Sequence, residues 1–171
     1  MCNVFVRTDI RMGEEDMTIV VWDGETLATD MQANDGMQKW KSEKAWYIGK
    51  DFDEVQIVSG VGILQDIIRL REWYKEGSSE DKFPIAFGSH RVTPTAKLIV
   101  VTKPEGLLLY DGIPHPIEYG FKPCAFGEGK DFALGALSMG ATSVQAVNVA
   151  NEHSLHCGKG VTELTLKVKK H

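Results

Sequence analysis

The spacing of apolar positions changes period along the chain, and those changes mark its elements. TIVVW from Thr18 is a run of β-branched and aromatic residues, Asp23-Gly24 is a turn pair, and ETLATDMQ follows, which together predict a β-hairpin. The polar stretch from Ala33 to Ser42 reads as loop. Lys44 to Ile48 and Val55 to Ser59 then predict a second pair of strands joined across GKDFD. After Gly60-Val61-Gly62 the period turns helical, with Ile63, Leu64, Ile67, Ile68, Leu70, Trp73 and Tyr74 at helical spacing, so an amphipathic helix is predicted over 62–75.

Glu76 to Pro94 carries GSS, Pro84, Gly88 and Pro94 and reads as loop with one short element. KLIVVTK, GLLLYDG and HPIEYG predict three short strands. Helices are expected over 130–139 and 142–153, split at Gly140, with Thr142 and Gln145 at capping-box spacing. Val161 to Val168 alternates with period two and closes the chain as a strand. Two groups of strands, one helix between them and two before the last strand suggest an α+β protein of two packed sheets with helices outside.

Composition narrows the function classes. With 171 residues, 43% hydrophobic and 25% charged, the chain has the make-up of one soluble domain, and it shows no repeat or dividing linker. Its net charge of −5 argues against a nucleic-acid surface, and the basic run Lys167 to His171 reads as solvated charge. No apolar stretch approaches the ~20 residues that cross a bilayer. Charged residues occupy the first twenty positions where a signal peptide needs an apolar run, so a cytoplasmic location is expected. Three widely spaced cysteines suggest neither a disulfide framework nor a paired metal site, and no cofactor is expected. Residues 1–17, with the acidic step GEED, read as a leader or N-terminal arm before a domain over 18–171.

Met17 to Gly24, followed by Leu27-Ala28-Thr29-Asp30, resembles the opening of proteasome-type N-terminal nucleophile (Ntn) hydrolases. The resemblance is strongest to short phage and bacterial members related to proteasome β subunits and to the peptidase of the bacterial heat-shock ATP-dependent protease. Phe126 to Ala136 resembles the family's Gly-x-Gly turn into a helix, and Cys157-Gly158-Lys159-Gly160-Val161 its turn before the final strand. Together the matches span residues 17–168 and imply a four-layer αββα sandwich. They also imply self-assembly into rings, a peptide or unfolded-protein substrate, and room for a partner ATPase.

The resemblance implies a chemistry as well. A threonine hydroxyl needs a base, and an N-terminal threonine supplies its own free amine, whose ordinary pKa near 7.7–8.0 suits that task. Thr18 would be nucleophile and base, Lys44 would favour the deprotonated forms through its charge, and Asp30 would hold Lys44. The oxyanion donor would be a backbone N–H within Ser59 to Gly62, with Ser59 and Gly60 both open. Two positions depart from the family: Glu128 stands where a serine is usual, and Ser154 where an aspartate is usual. Both normally support the threonine amine, and a carboxylate at 128 would raise that amine's pKa and weaken it as a base.

An amine at Thr18 requires that the chain begin there. Self-cleavage after Met17, initiation at Met17 with its removal, and loss of the nucleophile in favour of an assembly role for an uncleaved arm 1–16 are three ways to read the preceding residues. The last makes the chain a catalytically inactive structural protein on the same fold. Two rival sites rank lower. Cys2 would become N-terminal on methionine removal but lacks matching downstream motifs, and His153, His156 and Cys157 have no clear fourth ligand. Trp40, Trp46, Trp73 and Tyr74 read as core or interface aromatics, and Gly127-Glu128-Gly129 lacks the ending of a phosphate loop.

Overall fold

A computed structural model describes residues 18–34, 38–49, 55–84 and 96–166. Residues 1–17, expected as a leader or arm and including Cys2, and the terminal Lys167–His171 lie outside the described residues. Strands β1 (Ile19–Trp22) and β2 (Thr26–Asp30) form the expected hairpin. They are followed by β3 (Gln32–Asn34), β4 (Lys39–Lys41), β5 (Ala45–Ile48) and β6 (Gln56–Gly62), then helix α1 (Leu64–Lys75) and a 3-10 turn at Glu80–Lys82. Strands β7 (Ala96–Thr102), β8 (Gly106–Tyr110), β9 (Ile117–Gly120) and β10 (Cys124–Gly127) lead to α2 (Lys130–Ser138), α3 (Ser143–His153) and β11 (Val161–Thr165).

The strands make a four-stranded sheet in the order β10-β1-β2-β11 and a five-stranded sheet in the order β5-β6-β7-β8-β9, with β3 and β4 as a separate pair. Every pairing in these sheets is antiparallel. Period-two alternation explains how the sheets stack. Val20 and Trp22 of β1 meet Ile57, Val61, Ile99 and Val101 between the sheets. Ile19 and Val21, on the other face of β1, meet Ala133, Ala146, Val147 and Ala150 of α2 and α3. On the second sheet Val58, Leu98 and Val100 face outward onto Ile67, Leu70 and Trp73 of α1. Both faces of each sheet are thus covered, so the inner strands β1, β7 and β8 are apolar at nearly every position. The architecture is the four-layer αββα sandwich that the resemblance implied.

Three boundaries differ from the sequence reading. Ala33 to Ser42, expected as loop, holds β4 and most of β3, strands of three residues each with one apolar residue apiece, below the length at which periodicity speaks. Phe126 and Gly127, read only as the start of a turn into a helix, end β10, an edge strand on β1. Strand β6 runs through Gly60-Val61-Gly62, where a break was expected, because β7 pairs with it to its end at Gly62 and Ala96. The expected capping box at the head of α3 is present, with Gln145 N donating to Thr142 Oγ1 at 3.3 Å and Thr142 N to Gln145 Oε1 at 2.9 Å.

One side chain ties the first hairpin to the helical layer. Asp23 Oδ1 accepts from Thr26 N at 2.8 Å and Glu25 N at 3.0 Å, closing the β1–β2 turn. Its Oδ2 accepts from Ser143 N at 2.8 Å, one of the otherwise unpaired donors at the start of α3. Partial burial would raise the carboxyl, but the Ser143, Thr26 and Glu25 N–H groups outweigh it and hold Asp23 below its ordinary value. Asp23→Ala is therefore expected to lose both the turn and the helix-head bonds and to cost about 1–3 kcal/mol, read as a lower urea midpoint with an unchanged slope.

Candidate active site

Thr18 immediately precedes β1, Asp30 ends β2 and Lys44 immediately precedes β5, so the site lies at the ends of strands from both sheets. All three are buried, at 3%, 0% and 3% exposure. Lys44 Nζ donates to Thr18 Oγ1 at 3.0 Å and to Asp30 Oδ1 at 3.0 Å. Desolvation pushes the Lys44 ammonium below its ordinary value and the Asp30 carboxyl above its own, and each charge resists the shift of the other. A cation this close to a threonine oxygen favours loss of the hydroxyl proton.

Asp30 is held by more than lysine. Its Oδ1 also accepts from Ile19 N at 3.1 Å, while Oδ2 accepts from Gln32 N at 3.1 Å and Gly158 N at 3.3 Å. The Thr18 carbonyl accepts from Glu128 N at 3.0 Å. The peptide between Thr18 and Ile19 is therefore fixed at both its oxygen and its nitrogen. Gly127 has φ +102°, and an added Cβ would land on the Thr18 carbonyl oxygen, so only glycine lets β10 come this close.

The other expected residues are placed as follows. Ser59 is fully buried opposite Ala45, and its Oγ donates to the Lys44 carbonyl at 2.7 Å, which fixes the lysine's backbone. Gly60 follows it in β6, and an added Cβ there would meet Lys97 O at 2.7 Å and Ile67 Cγ2 at 2.8 Å, so α1 fills that face. Glu128 reaches Thr18 through its backbone N–H, and its side chain is exposed. Ser154 caps the end of α3, where its Oγ accepts from His156 N at 3.2 Å and lies beside Cys157. The structure thus brings Thr18, Asp30 and Lys44 into direct contact, joins Ser59 and Glu128 to them through main-chain groups, and puts Ser154 into the turn after α3.

Of the rival groups, His153 packs its ring on Phe132 at 5.7 Å, and among the described residues no three His, Cys, Asp or Glu side chains are grouped to hold a metal ion. Burial, reinforced by the negative charge of Asp30, pushes the Cys157 thiol up to about 11. The donors that sequence reasoning missed, Ile19, Gln32 and Gly158, act through backbone N–H groups, which carry no side-chain signature. A buried acid implied only that some donors exist.

Comparison with solved structures places the architecture. HslV from Trypanosoma brucei superposes with a TM-score of 0.61 at 20% identity, over 86% of this chain and 97% of that one. BPH from Thiobacillus denitrificans superposes with 0.61 at 19% identity, over 88% and 98%. A Gly-1 mutant of Anbu from Hyphomicrobium sp. strain MC1 gives 0.65 at 14% identity, over 90% and 85%. These are proteasome-type Ntn-hydrolase folds. The fold of this chain is the proteasome-type Ntn-hydrolase fold. No family model and no curated relative matches the sequence. Among the described residues no helix is long and apolar enough to cross a membrane.

The buried pair sets a stability test on this fold. Asp30→Ala and Lys44→Met, each leaving a buried partner uncompensated, are expected to lose about 3–5 kcal/mol apiece. The double variant should lose clearly less than their sum, because the second change removes the charge that the first one stranded. Urea unfolding of the four proteins measures the cycle.

Proposed function

We propose that the chain is a threonine-type Ntn hydrolase that cleaves peptide bonds, with Thr18 as nucleophile. The observation that carries this reading is the 3.0 Å contact between Lys44 Nζ and Thr18 Oγ1, with the same ammonium 3.0 Å from Asp30. Cleavage between Met17 and Thr18 would convert the Thr18 nitrogen from an amide to an amine. The amine then takes the Oγ1 proton and Oγ1 attacks the substrate carbonyl. A backbone N–H of Ser59 or Gly60 receives the oxyanion. The protonated amine returns its proton to the leaving amine, and water, deprotonated by the same amine, hydrolyses the ester. Lys44 supplies positive charge beside Oγ1 throughout, and Asp30 keeps it there.

Support from related folds is of two kinds. A structure of the Thiobacillus denitrificans BPH in complex with epoxomicin superposes with a TM-score of 0.59 at 18% identity, over 88% of this chain and 99% of that one. Anbu from Pseudomonas aeruginosa, at 0.63 and 12% identity over 86% and 80%, forms a helical assembly. We infer by analogy that this chain works as a homo-oligomer on peptide or unfolded-protein substrates, with a partner ATPase as a further expectation.

The decisive experiment has two readouts on protein from its native source. Mass spectrometry is expected to find Thr18 at the amino terminus, and epoxomicin to form a covalent adduct on Thr18. Thr18→Ala should fold, show no adduct and lose fluorogenic-peptide hydrolysis by at least about 10²-fold. A free Thr18 terminus with neither adduct nor hydrolysis would instead make the chain an assembly protein on a hydrolase fold.

A further inference from the structure

The turn Cys157–Gly160 touches the site and has no part in the chemistry just described. Gly158 uses both of its main-chain groups on the end of β2: its N–H donates to Asp30 Oδ2 at 3.3 Å, and its carbonyl accepts from Met31 N at 3.1 Å. The other donor to Oδ2, Gln32 N, comes from two residues along the same stretch, whereas Gly158 lies 128 residues away in sequence. The turn is itself held on all sides. Cys157 is buried and its thiol accepts from the Gly129 N–H, and Asn151 Nδ2 donates to Gly160 O at 3.2 Å. An added Cβ on Gly158 would stand 3.0 Å from Oε1 of the buried Gln32. Lys159 adopts φ +65°, a left-handed conformation unusual for a residue with a Cβ.

We propose that this turn is a positioning element for the hydrolytic site, its Gly158 N–H holding Oδ2 so that the opposite oxygen of Asp30 stays on Lys44 and Ile19 N. The proposal rests on the hydrolytic reading for its consequence in rate, and on geometry alone for its effect on Asp30. Without Gly158, Oδ2 keeps only the Gln32 N–H from its own stretch of chain, so the carboxylate turns more easily about its last bond and holds Lys44 less firmly in register with Thr18 Oγ1. Among the described residues the titratable groups acting on Asp30 are Lys44, from the head of β5, and Cys157, from the turn, and the Thr18-terminal protein adds the Thr18 amine, one residue from Ile19 N; α3 faces this sheet with Ala146, Val147 and Ala150. Withdrawing an N–H that favours the charged carboxylate should make Asp30 easier to protonate.

The test is a ¹³C NMR titration of the Asp30 carboxyl in the Thr18-terminal protein, in wild type, Gly158→Ala, Lys159→Val and Lys159→Gly. Lys159→Val places a β-branched residue in the left-handed position while removing only an exposed side chain, so it disturbs the turn even if Gly158→Ala fails to fold. Lys159→Gly fits the observed turn and is the conservative control. The expected result is an Asp30 midpoint moved to higher pH in Gly158→Ala and Lys159→Val and unmoved in Lys159→Gly. Peptide hydrolysis below that midpoint should fall roughly three- to tenfold in kcat with KM unchanged. An unmoved Asp30 midpoint in the folded Gly158→Ala or Lys159→Val protein overturns the proposal, with or without loss of rate. Because the NMR readout needs no turnover, an inactive wild type would defeat the hydrolytic reading and leave the turn's effect on Asp30 measured.

Discussion

A carboxylate with no exposed surface must find its donors inside the protein, and Asp30 draws them from distant parts of the chain. Ile19 N comes from the partner strand of its own hairpin, Lys44 from the head of the other sheet, and Gly158 from the turn before the last strand. Each of those segments has its own reason to be where it is, namely sheet pairing for β1, sandwich packing for β5 and the docking of α3 for the turn. The buried charge makes their arrangement mutually dependent, because a donor that drifts away leaves part of a carboxylate unsatisfied in a low-dielectric setting. Stability in this region and the position of the Thr18 oxygen are thereby properties of one network.

The same network explains why the architecture was readable and the site only partly so. Ile19, Val21 and Val20, Trp22 alternate between two different cores, and such doubly covered strands announce themselves as continuous apolar runs. The α3 capping box and the period of α1 are local patterns that tertiary structure had no reason to override. By contrast β10 is short and occupies an edge, and β3 and β4 are three residues each with a single apolar residue apiece, so their pairing depends on what lies alongside them. Thr18, Asp30 and Lys44 were legible because side-chain chemistry at matching positions resembles a known family. Gly158, Gln32 and Glu128 act through main-chain N–H groups, and any residue but proline has one.

Ser59 shows the same point from the other side. Its position was singled out as a source of a backbone donor, and its hydroxyl turns out to hold the Lys44 carbonyl. The serine thus does structural work one step behind the lysine, in addition to whatever its N–H does. Ser154 likewise belongs to the turn that carries Gly158, through its bond from His156 N and its place beside Cys157. Its contacts thus lie within the turn whose Gly158 N–H reaches Asp30.

Glu128 divides in the same manner. Its N–H fixes the Thr18 carbonyl, a task indifferent to side-chain identity provided Gly127 leaves room, so the glutamate that stands where the resemblance led one to expect serine makes that anchor as well. Under the proposed hydrolytic reading, a carboxylate on the residue whose N–H holds the Thr18 carbonyl would favour the charged form of a Thr18 amine. Exposure limits the effect, because solvent and salt screen a surface charge far more than they screen Lys44 or Asp30. Under the proposed hydrolytic reading the threonine oxygen is therefore tuned by a buried cation, and the amine by an exposed anion whose influence salt weakens far more.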